Sequence, residues 1–218
     1  MKPFERFDAL EKACFSWWAV LANPDDQGRM TAGADRAALA RLRRLGSAAE
    51  ADLDAALATA LSEPAFCGGF QQKGRRHEGL LDRISVLEGA ESLSRKLLLA
   101  PKVLVAAIVM ADIRRSRPET SVGKLLRDAQ SDAEGITPSG KARFLRLLRT
   151  DEVSFLLPQA RRLTRLLDRE APVGQLGASL ILWADPRDGA SRRSRWALDF
   201  FQPSLAADAA PSPSETTP

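Results

Sequence analysis

Arginine side chains on two predicted helices are the residues whose type and spacing could do chemistry. On a helical wheel, the arginines of segments 138–149 and 156–169 each fall within about 120° of one face, opposite the leucines. These two arginine rows are Arg143, Arg146 and Arg149 on the first segment, and Arg161, Arg162, Arg165 and Arg169 on the second. Guanidinium groups form paired hydrogen bonds with phosphate oxygens. The rows therefore predict contact with a polyanion.

The basic charge is local rather than global. The whole chain has 32 Lys and Arg against 28 Asp and Glu, a net charge of +4, whereas segment 141–169 alone has eight basic and three acidic residues, a net charge of +5. Like charges on one face repel each other unless a polyanion neutralises them. Neither row contains an amide side chain that could recognise base edges, so we expect contact with the sugar-phosphate backbone, insensitive to sequence and dependent on salt.

Smaller basic groups occur earlier in the chain. Arg36, Arg43 and Arg44 form a strip on a predicted helix, and Arg76 lies in a basic loop between glycines. Two other interpretations of the arginines remain open. They could bind acidic protein surfaces in a helical scaffold or adaptor, or belong to a sequence-specific helix-turn-helix regulator.

Enzymes that use a metal or a nucleophile are not indicated. One histidine, His77, and two distant cysteines, Cys14 and Cys67, are too few for a zinc site or a disulfide scaffold. We expect no enzyme activity, no cofactor and no metal. The chain has neither a secretory signal nor an apolar run of membrane length, so we expect a cytoplasmic protein.

The elements that would position the arginines are helices throughout, and the predicted fold class is all-α. The predicted helices are 4–21, 36–45, 47–61, 77–87, 93–113, 122–129, 138–149, 156–169, 173–183 and 188–201. Asp35 and Ser121 are predicted N-caps, Gly46 is predicted to end a helix, and a capping box at 47–50 is predicted to open the next. The four tryptophans occur at helical spacing among apolar residues, which predicts core positions.

The domain organisation follows from changes in composition. We predict an N-terminal helical bundle at 1–113, a linker at 114–120 and a C-terminal bundle at 121–202. Segment 203–218 is rich in Ala, Pro, Ser and Thr, which predicts a disordered tail.

The order of several motifs resembles a known family. Trp17-Trp18 followed by segment 34–44 is similar to the amino-terminal signature of the CasB small subunit of type I-E CRISPR Cascade. The second half adds further motifs in the family's order: segment 121–126, segment 143–148, segment 157–163, Trp183, and segment 196–200. The chain departs from the family pattern at Lys141 and at 173–174, and segment 84–117 is longer than the pattern requires.

The resemblance implies a non-catalytic subunit of two small helical bundles, present as two copies beside the large and backbone subunits. Its basic surface would lie along the crRNA-guided target strand and the displaced DNA strand and stabilise the R-loop in antiviral defence. The resemblance implies nucleic-acid contacts at Arg43, Arg44, Arg143, Arg149, Arg161 and Arg162, with further ones at Arg76 and Lys124. The arginine rows add Arg146 and Arg165 to these candidate residues.

Overall fold

Helices make up most of the molecule. The computed structural model describes residues 3–133 and 135–202, with only the backbone of Pro3 and Phe4. Within those ranges the helices are α1 (Pro3–Ala22), α2 (Arg36–Ala51), α3 (Leu53–Ala60), α4 (Leu80–Leu87), α5 (Leu93–Asp112), α6 (Val122–Ala129), α7 (Pro138–Leu148), α8 (Val153–Leu166), α9 (Val173–Leu182) and α10 (Gly189–Phe201). The mostly helical fold confirms the all-α prediction.

Six short strands pair as three small ribbons in the described residues. The strands are β1 (Gly69–Gln72), β2 (Arg75–Glu78), β3 (Arg115–Ser116), β4 (Ser131–Asp132), β5 (Gly135–Ile136) and β6 (Glu170–Ala171). β1 pairs with β2 and β4 with β5 in antiparallel fashion, and β3 pairs with β6 in parallel. The predicted helix 77–87 therefore begins late, at Leu80, because the β1–β2 hairpin takes up the preceding residues. Lys73 and Gly74, with φ values of 51° and 74°, make its two-residue turn.

The second half of α5 is the centre of the core. Residues 103–111 are fully buried, and α2, α4, α8 and α9 all pack against α5. All four tryptophans are buried, as predicted. The indole N–H of Trp17 donates to the Ala65 carbonyl at 2.8 Å, and that of Trp183 donates to the Thr150 carbonyl at 2.7 Å. Both rings therefore anchor loops to the core.

The N-caps were predicted correctly at two helices. The Asp35 side chain accepts a hydrogen bond from the Ala38 N–H at 2.9 Å, and that of Ser121 accepts one from the Lys124 N–H at 3.2 Å. These bonds satisfy backbone donors that have no partner inside the helix, and they fix where α2 and α6 begin.

Gly46 does not end a helix, so that prediction and the predicted capping box at 47–50 are wrong. α2 continues to Ala51, and Asp52 caps the next helix by accepting from the Ala55 N–H at 3.0 Å. A Cβ at position 46 would lie 2.7 Å from Cγ2 of Ile108 and 3.1 Å from Cζ of Arg161. The glycine is therefore needed for the close approach of α2 to α5 and α8.

Helices from both predicted bundles share one hydrophobic cluster. α1 packs along α9, and α5 packs on α8 and α9. Within segment 114–120, the Arg114 carbonyl accepts from the Met30 N–H and the Ser116 N–H donates to the Gly28 carbonyl, each at 2.8 Å. The division into 1–113 and 121–202 stays a prediction, and segment 203–218, predicted to be disordered, lies outside the described residues.

Several exposed apolar side chains occur at the end of α4 and in the first turns of α5. They are Val86, Leu87, Leu93, Leu97 and Leu98, and Leu98 reaches 78% exposure. Exposed apolar side chains that lie close together are one mark of an interaction surface. None of the helices in the described residues combines the length and apolar character that crossing a membrane requires.

Candidate nucleic-acid interface

A groove between α6, α7 and α8 brings together arginines from both predicted rows. Arg143 and Arg146 of α7 and Arg162 of α8 line it, and its volume is about 150 Å³. Its other lining residues are Leu126, Gln130, Phe144, Leu147, Gln159, Leu163 and Leu166. We call this site the α7–α8 groove. Its wall combines positive charge with apolar surface.

The packing of α7 decides which way its arginines point. The Thr137 hydroxyl caps the helix by accepting from the Gly140 N–H at 3.1 Å. Phe144 is buried and stacks on Phe200 of α10, with ring centroids 3.9 Å apart. Since side chains three and four positions apart share a helix face, burial of this face leaves Arg143 and Arg146 exposed.

The packing of α8 has a similar result. Leu156, Ala160 and Leu163 are buried against the core, while Arg162 and Arg165 are exposed. The two rows therefore approach each other at Arg143, Arg146 and Arg162, although they were predicted from each helix separately.

Most arginines of the two rows are not neutralised by the protein itself. Among the ion pairs of residues 3–133 and 135–202, none involves Arg143, Arg146, Arg149, Arg162 or Arg165. All five side chains are exposed. Their unneutralised charge favours a negatively charged partner.

Arg161 has a different environment from its neighbours, which corrects its prediction as a nucleic-acid-binding residue. It is 9% exposed. Its Nε donates to Oδ2 of Asp112 at 3.2 Å and its Nη1 donates to Oε1 of Glu50 at 2.9 Å. Because two carboxylates of the same molecule already neutralise this guanidinium, it connects α8 to α2 and α5 and is not available to a partner.

Arg43 is also engaged by the protein. Its Nε donates to the Ala111 carbonyl at 2.7 Å and lies 3.8 Å from Oδ1 of Asp112. Burial lowers the pKa of Arg43, although the Asp112 carboxylate opposes that change. The negative end of the α5 helix dipole, at its carboxyl terminus, stabilises a cation at this position. The contacts give Arg43 a structural role.

Three further predicted residues are exposed but do not line the α7–α8 groove. Arg44 is on α2, Arg76 is on β2 of the hairpin, and Lys124 is in the first turn of α6. Arg149, the residue that follows α7, and Arg165 on α8 are exposed and also lie outside the lining. The structure thus gathers three of the ten predicted residues into one site.

Sequence analysis missed the two amides of the groove, Gln130 and Gln159. Gln130 follows the last residue of α6, outside any basic row, and is 6% exposed. Nothing in the helical pattern distinguishes it from an ordinary loop residue. Its place on the groove depends on the tertiary contact between the end of α6 and Gly140 of α7.

The comparison with known proteins assigns a family. The family model for CRISPR-associated protein Cse2 matches residues 38–201, which run from the first turn of α2 through α10 and include all ten candidate residues. The Trp17-Trp18 pair precedes the matched range. No curated protein and no solved structure matches the chain. Because the match extends over most of the sequence and agrees with the order of motifs, the chain belongs to the Cse2 family, the CasB small subunit of type I-E CRISPR Cascade.

Proposed function

We propose that this Cascade subunit binds nucleic acid without sequence specificity through the α7–α8 groove. The observation that supports the proposal is the meeting of Arg143, Arg146 and Arg162 at one groove, with no carboxylate of the described residues paired to them. Phosphates would supply the missing negative charge. Since phosphates are identical along a strand, one surface would serve every guide sequence.

The proposed ligands are the target strand paired with the crRNA and the displaced DNA strand of the R-loop. Exchanging a DNA duplex for a guide–target hybrid is nearly balanced in free energy, so backbone contacts can shift the equilibrium. Arg149, Arg165 and Lys124 would extend the contact along the strand. Arg44 and Arg76 would contact nucleic acid away from the groove.

The proposed protein partners are the large and backbone subunits and a second copy of this chain. The exposed apolar side chains at the end of α4 and the start of α5 support such contacts, since protein–protein interfaces are one use of exposed apolar surface. The Cse2 family is a non-catalytic structural family. We propose that this chain likewise has no enzymatic activity and acts in the cytoplasm.

The test replaces the three groove arginines with glutamine: Arg143→Gln, Arg146→Gln and Arg162→Gln. The matched control removes the same charge outside the groove: Arg95→Gln, Arg187→Gln and Arg195→Gln, all exposed positions. Affinity for mixed-sequence single-stranded DNA and for an RNA–DNA hybrid is titrated against salt. The slope of log K against log salt should fall by about 2 in the groove variant, since each lost phosphate contact removes about 0.7 on single strands.

The control variant should keep its slope. Equal losses in the two variants would mean that total charge, and not the groove, determines binding. Unchanged binding in both would remove the proposal and favour arginines that contact acidic proteins. A strong preference for one duplex sequence would instead indicate a helix-turn-helix regulator.

A further inference from the structure

The floor of the α7–α8 groove is apolar. Leu126, Phe144, Leu147 and Leu163 are buried side chains that line it, and Leu166 is 38% exposed at its edge. A surface that contacts only phosphates does not need such a floor, because phosphates are hydrated and bind to charges and N–H donors. The apolar wall therefore indicates that a less polar part of the ligand enters between the arginines.

Gln130 also lines the groove and carries a hydrogen-bond acceptor that has no partner among the described residues. Its Nε2 donates to the Leu126 carbonyl at 3.2 Å, while its buried Oε1 has no hydrogen-bond partner among the described residues. A buried acceptor without a donor destabilises a protein. A ligand that carries an N–H group would remove that penalty.

The position of Gln130 is fixed by its surroundings. Its backbone N–H donates to the Arg127 carbonyl at 3.0 Å and its carbonyl accepts from the Thr137 N–H at 2.9 Å. Gly140 lies against it so closely that a Cβ on the glycine would come within 2.7 Å of the Gln130 Cβ. The backbone and Cβ of Gln130 are thus held in place before any ligand arrives, which reduces the entropy lost on binding.

We propose that the groove holds one unpaired nucleobase of a single strand, with the adjacent phosphates on Arg143, Arg146 and Arg162. A nucleobase has apolar faces for the leucine and phenylalanine walls and an edge that carries N–H groups for Gln130. Every base has such an N–H on its Watson–Crick edge, so the site stays tolerant of sequence. The groove, with a volume of about 150 Å³, has room for one flat ring system.

This inference rests on the proposed function, because it requires the groove to bind nucleic acid. It adds that the ligand is single-stranded where it crosses the groove, which is the state of the displaced strand and not of the guide–target hybrid. Affinity should then depend on the bases being present, although not on their identity.

The test compares two single strands of equal length, oligo-dT and an abasic strand with the same number of phosphates, on the full-length chain. We expect at least fivefold tighter binding of oligo-dT at the same salt concentration, since one stacked base contributes fivefold or more. The salt slopes for the two strands should be equal, because the phosphates are the same.

Two variants examine the site itself. Gln130→Met removes the acceptor at nearly constant length, and its matched control is Gln71→Met, an exposed amide on β1. Gln130→Met should lower the ratio of oligo-dT affinity to abasic-strand affinity at least threefold without changing the salt slope. Gln71→Met should leave this ratio unchanged. If Gln130→Met does not fold, Leu166→Ser, at the groove edge, provides the same measurement.

The outcomes separate the two proposals. Equal affinity for both strands, with a steep salt slope, would overturn the base site and leave the proposed function intact. Salt-independent or absent binding to both strands would overturn both. A preference for oligo-dT that survives in Gln130→Met and Leu166→Ser would overturn the site, since the bases would then be bound elsewhere.

Discussion

Arg161 and Arg162 are neighbours in the chain, but the structure gives them opposite roles. Arg161 is buried with Glu50 and Asp112, whereas Arg162 is exposed on the α7–α8 groove. Arg161→Met and Arg162→Met remove the same charge one residue apart. We therefore expect the first to lower the stability of the protein and the second to weaken DNA binding.

The loss expected for Arg161→Met follows from its contacts. Removing one partner of a buried ion pair costs about 3–5 kcal/mol. Two features reduce this value: the Glu50 side chain is 37% exposed, and Arg43 remains 3.8 Å from Asp112. We expect about 3 kcal/mol of lost stability, a lowering of Tm by about 6–12 °C for a chain of this size. Arg162→Met, on the surface, should stay within about 0.5 kcal/mol of the wild type.

Urea unfolding and salt-titrated DNA binding distinguish the two variants. Without urea, and at a low temperature where both variants are folded, Arg161→Met should bind single-stranded DNA with the wild-type salt slope. Arg162→Met should lose about 0.7 of that slope. The reasoning is refuted if Arg161→Met unfolds at the wild-type urea concentration but binds as weakly as Arg162→Met, because Arg161 would then contact the ligand and not the two carboxylates.

Two further predictions concern the fold. Gly46→Ala should destabilise the protein by about 1–3 kcal/mol in urea unfolding, since its methyl group would collide with the helices packed on α2. Ser47→Ala, on the exposed side of the same helix, should leave the free energy of unfolding nearly unchanged. A Gly46→Ala variant that is more stable than the wild type would contradict the close packing. Burial disfavours the charged form of Asp185, but backbone N–H groups and the Arg6 guanidinium, 3.3 Å away, outweigh it and lower the pKa of the carboxyl. A lowered folded-state pKa gives stability that is present above the ordinary value of 3.8 and is lost as pH falls through the folded value. Stability should therefore decline in urea unfolding below about pH 4, and the decline should be smaller in Arg6→Gln; an equal decline in both proteins would show that this contact does not contribute.

Local sequence signals were sufficient for most of the helical framework. Helix positions, the caps at Asp35 and Ser121, and the burial of the four tryptophans all follow from periodicity and from hydrogen bonds within a few residues. The errors occurred where packing overrode a local signal. Gly46 has the residue type of a helix end, and only the proximity of α5 and α8 explains why it lies inside a helix.

For the candidate site, the sequence determined that arginines line one face of each of two helices and that the order of motifs is that of the Cse2 family. Only the tertiary structure decided which of those arginines are free. Arg161 is neutralised by carboxylates 49 and 111 positions away in the chain, a distance at which no helical pattern carries information. The groove itself, with Gln130 on its wall, exists because α6, α7 and α8 pack together, and packing between separate helices depends on the whole core.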